Sequence, residues 1–209
     1  MSFSELLARA LGDDLPDKAS VYLDHIGRNA LLMRTLVQDL LRLSRAGNSP
    51  LATAPLALDA CLDRALRALG ATIEEHGAEI RRAPLPEITG DAGLLAQLFQ
   101  NLVGNALKFV PPGRRPVVDL AARRDGDHWV VSVADNGIGI DPAYAQRIFA
   151  PFQRLHRAEE YPGSGIGLAI CRRVVERHGG TLWVQPGPEQ GSIFQFTLPA
   201  SPPSSPHEP

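Results

Sequence analysis

Apolar residues recur along this chain with two different periods, and the changes of period mark its elements. From residue 17 to residue 45 they fall at Ile26, Ala30, Met33, Val37 and Leu40, spaced alternately four and three apart. That is a heptad stripe on one long helix, entered after Pro16 and stopped by Gly47-Asn48. Leu23, Leu36 and Leu43 widen the stripe. Before it, residues 2–11 read as a short amphipathic helix ending at Gly12. So long a stripe needs a helical partner, so self-association is expected; packing of the long helix on its own domain is the alternative.

Residues 48–55 are a polar, proline-bearing linker, and Leu56-Ala57-Leu58 opens a second unit. The pattern predicts a helix over residues 59–76 and short strands over residues 79–82 and 87–89. Asp91 can cap the next helix, which runs through Asn101 and Asn105 to Phe109 and stops before Pro111-Pro112-Gly113. Strands over residues 117–123 and 129–133 flank Asp125-Gly126, a hairpin signal. Residues 141–162 have weak periodicity and several prolines. A helix over residues 165–178 and strands over residues 181–185 and 192–198 close the unit. Residues 200–209 are rich in proline and serine and are expected to be disordered. Helices alternating irregularly with hairpins predict an α+β fold, a helical layer over a mixed sheet.

Composition narrows this little. The chain has 209 residues, 44% hydrophobic and 21% charged, as in ordinary globular proteins. Its formal net charge of -2 is interspersed, which argues against a nucleic-acid footprint or a membrane-surface patch. No apolar run reaches the length of a membrane span, and the start at Met1 does not resemble a signal peptide. Cys61 and Cys171 have no metal spacing and fall in expected helices, so they read as buried apolar residues in a reducing compartment.

The chemistry lies in three pieces: Asn101 to Phe109, then Asp135-Asn136-Gly137-Ile138-Gly139-Ile140, then Gly163-Ser164-Gly165-Ile166-Gly167-Leu168-Ala169-Ile170. A Gly-x-Gly pair alone is usually a turn. Here the second cluster runs straight into a helix, which would put backbone N–H groups and a helix N-terminus where phosphate could sit. Asp135 follows an alternating strand, and an ionised carboxylate there is an acceptor suited to an amino donor such as that of adenine. Asn101 and Asn105 share a helix face, and an asparagine oxygen can ligate a hard cation such as Mg²⁺. There is no P-loop pattern and no early dinucleotide fingerprint.

In this order, the pieces resemble the ATP-binding region of sensor histidine kinases, whose nucleotide fold is shared with gyrase and mismatch-repair ATPases. Asn101 to Phe109 resembles the N box, Asp135 to Ile140 the G1 box, Phe149-Ala150-Pro151-Phe152 the F box, Gly163 to Ile170 the G2 box and Gly191-Ser192 the last glycine element. The stretch Phe152-Gln153-Arg154-Leu155-His156 with Glu160-Tyr161-Pro162-Gly163 is similar to phytochrome-like kinases. The resemblance implies a two-layer α/β sandwich of the Bergerat (GHKL) type over residues 56–199. It implies a partial dimerisation hairpin over residues 1–47. The ligands implied are ATP or ADP and Mg²⁺, the partner a response-regulator receiver domain, the assembly a homodimer through the hairpin, and the setting the cytoplasm. Adenine recognition falls to Asp135, and Gly137 and Gly139 beside it are implied as cofactor-binding residues. Gly163, Gly165, Gly167 and Leu168 would line the phosphates, with Asn105 as the metal ligand. Asn101 would orient phosphate or a water. The hydrolytic relatives carry a glutamate there, and an asparagine cannot serve as general base, which favours phosphoryl transfer over hydrolysis. Lys108 either pairs with phosphate or is a solvated helix end. Arg154 and His156 lie in a segment that closes over ATP as a lid, where a cation could neutralise the γ-phosphate. Phe149 and Phe152 would anchor that lid.

The family's phospho-acceptor is a histidine followed by an acidic residue and, soon after, a proline. None of the six histidines has that setting. His25 precedes Ile26-Gly27-Arg28 in what resembles the second hairpin helix, so the acceptor is expected a few turns upstream of Met1. A scaffolding pseudokinase and a free-standing ATPase or serine kinase are the rival readings. The intact boxes weigh against the first, and the long helix with Asn101 against the second.

Overall fold

The computed structural model describes residues 17–48, 50–155, 161, 163–187 and 190–200. The expected helix over residues 2–11, the tail from residue 201, and His156, Glu160 and Pro162 lie outside the described residues. Helix α1 (Asp17–Asn48) is followed by β1 (Ala54–Ala57), α2 (Leu58–Ala68), α3 (Gly70–Glu75), β2 (Glu79–Arg82), β3 (Glu87–Gly90) and α4 (Ala92–Lys108). Then come β4 (Val117–Asp125), β5 (His128–Asp135), two single 3₁₀ turns (Pro142–Tyr144 and Arg147–Phe149), α5 (Gly167–Arg177), β6 (Leu182–Pro186) and β7 (Ser192–Pro199).

The larger sheet has strand order β2-β4-β5-β7-β6, with β2 parallel to β4 and the other pairs antiparallel, so it is mixed as expected. Strand β7 alternates along its length, burying Phe194, Phe196 and Leu198 on one face. That face meets Leu58 and Leu62 of α2, Phe99 and Leu102 of α4, and Ile170 and Val174 of α5 in one core. Phe99 stands edge-on to Phe196, with ring centroids 5.9 Å apart. The result is the α+β sandwich of one helical and one sheet layer.

Several boundaries differ from those expected, for identifiable reasons. The end of the 48–55 linker is strand β1, which pairs with β3 through Ala54↔Gly90 to Ala57↔Glu87. The expected helix over residues 59–76 is two helices, because Leu69 leaves helical geometry at ψ 3 and Gly70 restarts the chain. Helix α1 runs through Gly47, whose helical cost of about 1 kcal/mol is too small to end it. Helix α5 begins at Gly167, since Gly165 holds φ +73, closed to a right-handed helix. Cys61 and Cys171 are buried and free. No helix among the described residues is long and apolar enough to cross a membrane.

The far ends of α4 and α5 are tied by a histidine whose sequence context read only as a helix stop. His178 is buried; its Nδ1 donates to Val174 O at 2.8 Å, and its Nε2 accepts the Asp91 N–H at 3.0 Å. Asp91 in turn caps α4 through Gly93 N and Leu94 N. This pairing needs the neutral ring. Burial pushes the imidazole below its ordinary value of 6.5, partly offset by the Val174 carbonyl and Asp91. The unfolded chain therefore takes up the proton first as pH falls, and His178's contribution, full above pH 6.5, declines from there towards the folded value. Thermal unfolding from pH 7.5 to 5 should show wild type losing stability relative to His178→Gln; parallel profiles would refute this.

Candidate functional site

Three elements end at one cavity of about 380 Å³, within the range of small-molecule sites. Helix α4 brings Asn101, Asn105 and Lys108 on one face, β5 ends at Asp135, and the glycine segment before α5 supplies Gly163, Gly165, Gly167 and Leu168. Gly139 completes the wall on the β5 side and Arg154 closes it from the loop. Apolar surface comes from Ile138, Ile140, Ile148 and Phe194.

Asp135 is held by backbone. Its Oδ1 accepts Gly137 N–H at 2.9 Å and Ser192 N–H at 3.1 Å, which leaves Oδ2 for the cavity. Burial pushes the carboxyl up, and the two N–H groups pull it back. The packing here admits only glycine at two positions. A Cβ at Gly191 would stand 2.0 Å from Asp135 O, and one at Gly137 would stand 2.3 Å from Phe109 O.

Asn101 Nδ2 donates to Gly167 O at 3.3 Å, tying α4 to the start of α5. Lys108 lies 4.3 Å from the Phe109 ring centroid. Burial, helped by the Arg154 charge, brings its ammonium down to about 8. It therefore stays mostly charged at pH 7, and a bound anion would restore its charge further. Arg154 Nη2 donates to Tyr161 O at 2.8 Å. Lys108 and Arg154 thus bring two cations to one cavity, which suits a polyanion. Asn105 lines the same space.

Residues 90–202, more than half of the chain, match the family described as histidine kinase-, DNA gyrase B- and HSP90-like ATPase. The chain belongs to that family. This ATPase-family domain is similar to cyanobacterial phytochrome A of Nostoc sp. (strain PCC 7120), at 40% identity over 198 residues, 95% of this chain but 26% of the relative. It therefore spans about a quarter of that relative's length. Among solved structures, full-length ShkA in complex with AMPPNP matches at 34% identity with a TM-score of 0.68, over 88% of this chain and 39% of that one. ThkA in complex with the response regulator TrrA matches at 22% identity and a TM-score of 0.72, over 97% of this chain and 58% of that one, a likeness of fold. The domain is of the histidine-kinase catalytic type.

Two expected site residues of this ATPase-family domain sit elsewhere. Gly137 does not line the cavity; it is buried behind Asp135, its N–H on Asp135 Oδ1, and its missing side chain lets the loop close on Phe109, where Ile138 N–H donates to Phe109 O. Phe152 is not a lid anchor here: it is 58% exposed at φ +63, its N–H on Gly165 O at 3.0 Å. Phe149 does anchor, its ring edge-on to Phe194 at 6.5 Å. Thr35 of α1 reaches the cavity, which the sequence did not signal. Ser192 also lines it, although the glycine before it was the only cue.

Proposed function

We propose that this chain is the ATP-binding catalytic portion of a sensor histidine kinase. It binds MgATP and directs the γ-phosphoryl to a histidine that none of its own six supplies, for relay to a response-regulator aspartate. The carrying observation is a single cavity joining Asp135, Asn105 and the glycine-lined start of α5. Asp135 Oδ2 accepts the adenine amino hydrogen. The glycine segment and Lys108 hold the phosphates, and Asn105 turns its oxygen to the metal. Mg²⁺ needs few protein ligands when phosphate supplies the rest, so one asparagine suits it. MgATP, when bound, supplies an activated phosphoryl group whose charge the metal offsets. Arg154 adds charge at the γ-position. Asn101 cannot take a proton from water, which leaves transfer favoured over hydrolysis. The reaction belongs in the cytoplasm, where ATP and a receiver domain meet.

Calorimetric titration with ATP tests this reading. Asn105→Ala should weaken binding severalfold or more with Mg²⁺ present and little in EDTA. Equal losses in both would make Asn105 a structural residue only.

Residues 1–47 are proposed as part of a dimerisation hairpin, residues 48–55 as its junction and residues 56–199 as the catalytic domain. Leu36 and Leu43 pack against the catalytic core, whereas Ile26, Met33, Val37 and Leu40 of the heptad stripe are exposed. A second copy would cover that stripe. Sedimentation should show a dimer that Val37→Glu shifts to monomer; a wild-type monomer at high concentration would refute it.

A further inference from the structure

Asn136 lies between the two best-marked residues of its motif and lines no part of the cavity. Its side chain nevertheless has a partner at each end of the amide. Oδ1 accepts Val117 N–H at 2.9 Å, and Nδ2 donates to Arg115 O at 2.9 Å. The residue's own carbonyl accepts Arg114 Nη1 at 2.9 Å. The β4–β5 ladder ends at the pair Val118↔Asp135. One residue further, the Asn136 amide presents an acceptor and a donor as a peptide group would, to the chain that leads into β4. The ladder is thereby extended by a side chain past the point where the strands part.

The peptide carrying Asp135 is thus confined on three sides. Gly191 packs against it from the β7 side, where a Cβ would stand 2.0 Å from Asp135 O and 3.0 Å from Asn136 Cα. Gly137 packs against Phe109 O from the α4 side. The Asn136 amide closes the third side. Asp135 Oδ1 is fixed by Gly137 and Ser192, so the direction of Oδ2 follows the direction of this peptide.

We propose that Asn136 is a positioning residue for base recognition: its amide clamp on Val117 and Arg115 aims the Asp135 carboxylate at the six-amino group of adenine. This rests on the proposed reading of Asp135 as the adenine acceptor. Alanine at 136 removes both clamp bonds. Aspartate keeps the acceptor for Val117 N–H, but it loses the donor to Arg115 O and sets a second carboxylate beside Asp135.

The test is calorimetric titration of the full chain with ADP and with the six-deamino analogue, purine riboside 5′-diphosphate. Wild type should prefer ADP by about tenfold, because only ADP offers the amino hydrogen to a charged acceptor. Asn136→Ala and Asn136→Asp should each erase most of that preference, weakening ADP roughly tenfold and the analogue less than about twofold. Equal losses on both ligands, or no loss on either, would overturn the proposal, as would failure of both variants to fold, since the amide would then serve the fold and not the aim. A wild type without any preference for ADP would instead refute the adenine reading on which the proposal stands.

Discussion

Replacing Asp135 is expected to weaken ADP and ATP about tenfold to a hundredfold, because a hydrogen bond to a charged group is worth about 1.5–3 kcal/mol. Asp135→Ala removes the acceptor for the adenine amine, but it also strands the N–H groups of Gly137 and Ser192 that now converge on Oδ1. Asp135→Asn separates the two effects. An asparagine oxygen can still accept both N–H groups, while its amide nitrogen would meet the adenine amine donor to donor. The asparagine variant should therefore fold like wild type and bind nucleotide as poorly as the alanine variant. Calorimetry alongside thermal unfolding decides between them. Unchanged affinity in Asp135→Asn would remove this carboxylate from base recognition.

The second large effect is all or none. Incubated with radiolabelled ATP, the chain should acquire no acid-labile, base-stable phosphate, because transfer needs a nucleophile held in line with the γ-phosphoryl. His178 has both ring nitrogens engaged within the core. His25 is exposed on α1 but is followed by Ile26-Gly27-Arg28, without the acidic residue directly after it that the family's acceptor histidine carries. Adding a helical-hairpin fragment from a related kinase, with its acceptor histidine, should give labelled fragment. Asn105→Ala should abolish that labelling. Label mapped to His25 would overturn the reading of α1 as the second hairpin helix. Tight ATP binding without transfer to any supplied histidine would favour the pseudokinase reading.

Much of the site was legible because its chemistry is written in short stretches of backbone. Gly139 and Gly165 adopt positive φ, which few other residues tolerate, so their positions in the sequence announced the loops. Asn101, Asn105 and Lys108 share a face because helical geometry puts residues three and four apart together. Asp91 as cap and Asp135 at a strand end were equally local signals. Gly137 misled because a motif glycine signals close approach without saying what approaches. Its neighbour is Phe109 O, behind the carboxylate and away from the cavity.

The sequence alone determined the two periods, the order of helices and strands, the glycine-shaped loops and the set of polar groups available for nucleotide chemistry. All of these depend on residues within a few positions of one another, where backbone geometry dictates the outcome. Tertiary structure decided the rest. It paired β1 with β3, broke the 59–76 helix at Leu69, brought Thr35 of α1 to the cavity, left Phe152 exposed, and joined His178 to Asp91 across 87 positions. The Asn136 clamp on Arg115 belongs with these, since it spans 21 positions. Each of these depends on which distant surface packs opposite, and a local pattern records that a face is apolar or an atom polar without recording its partner.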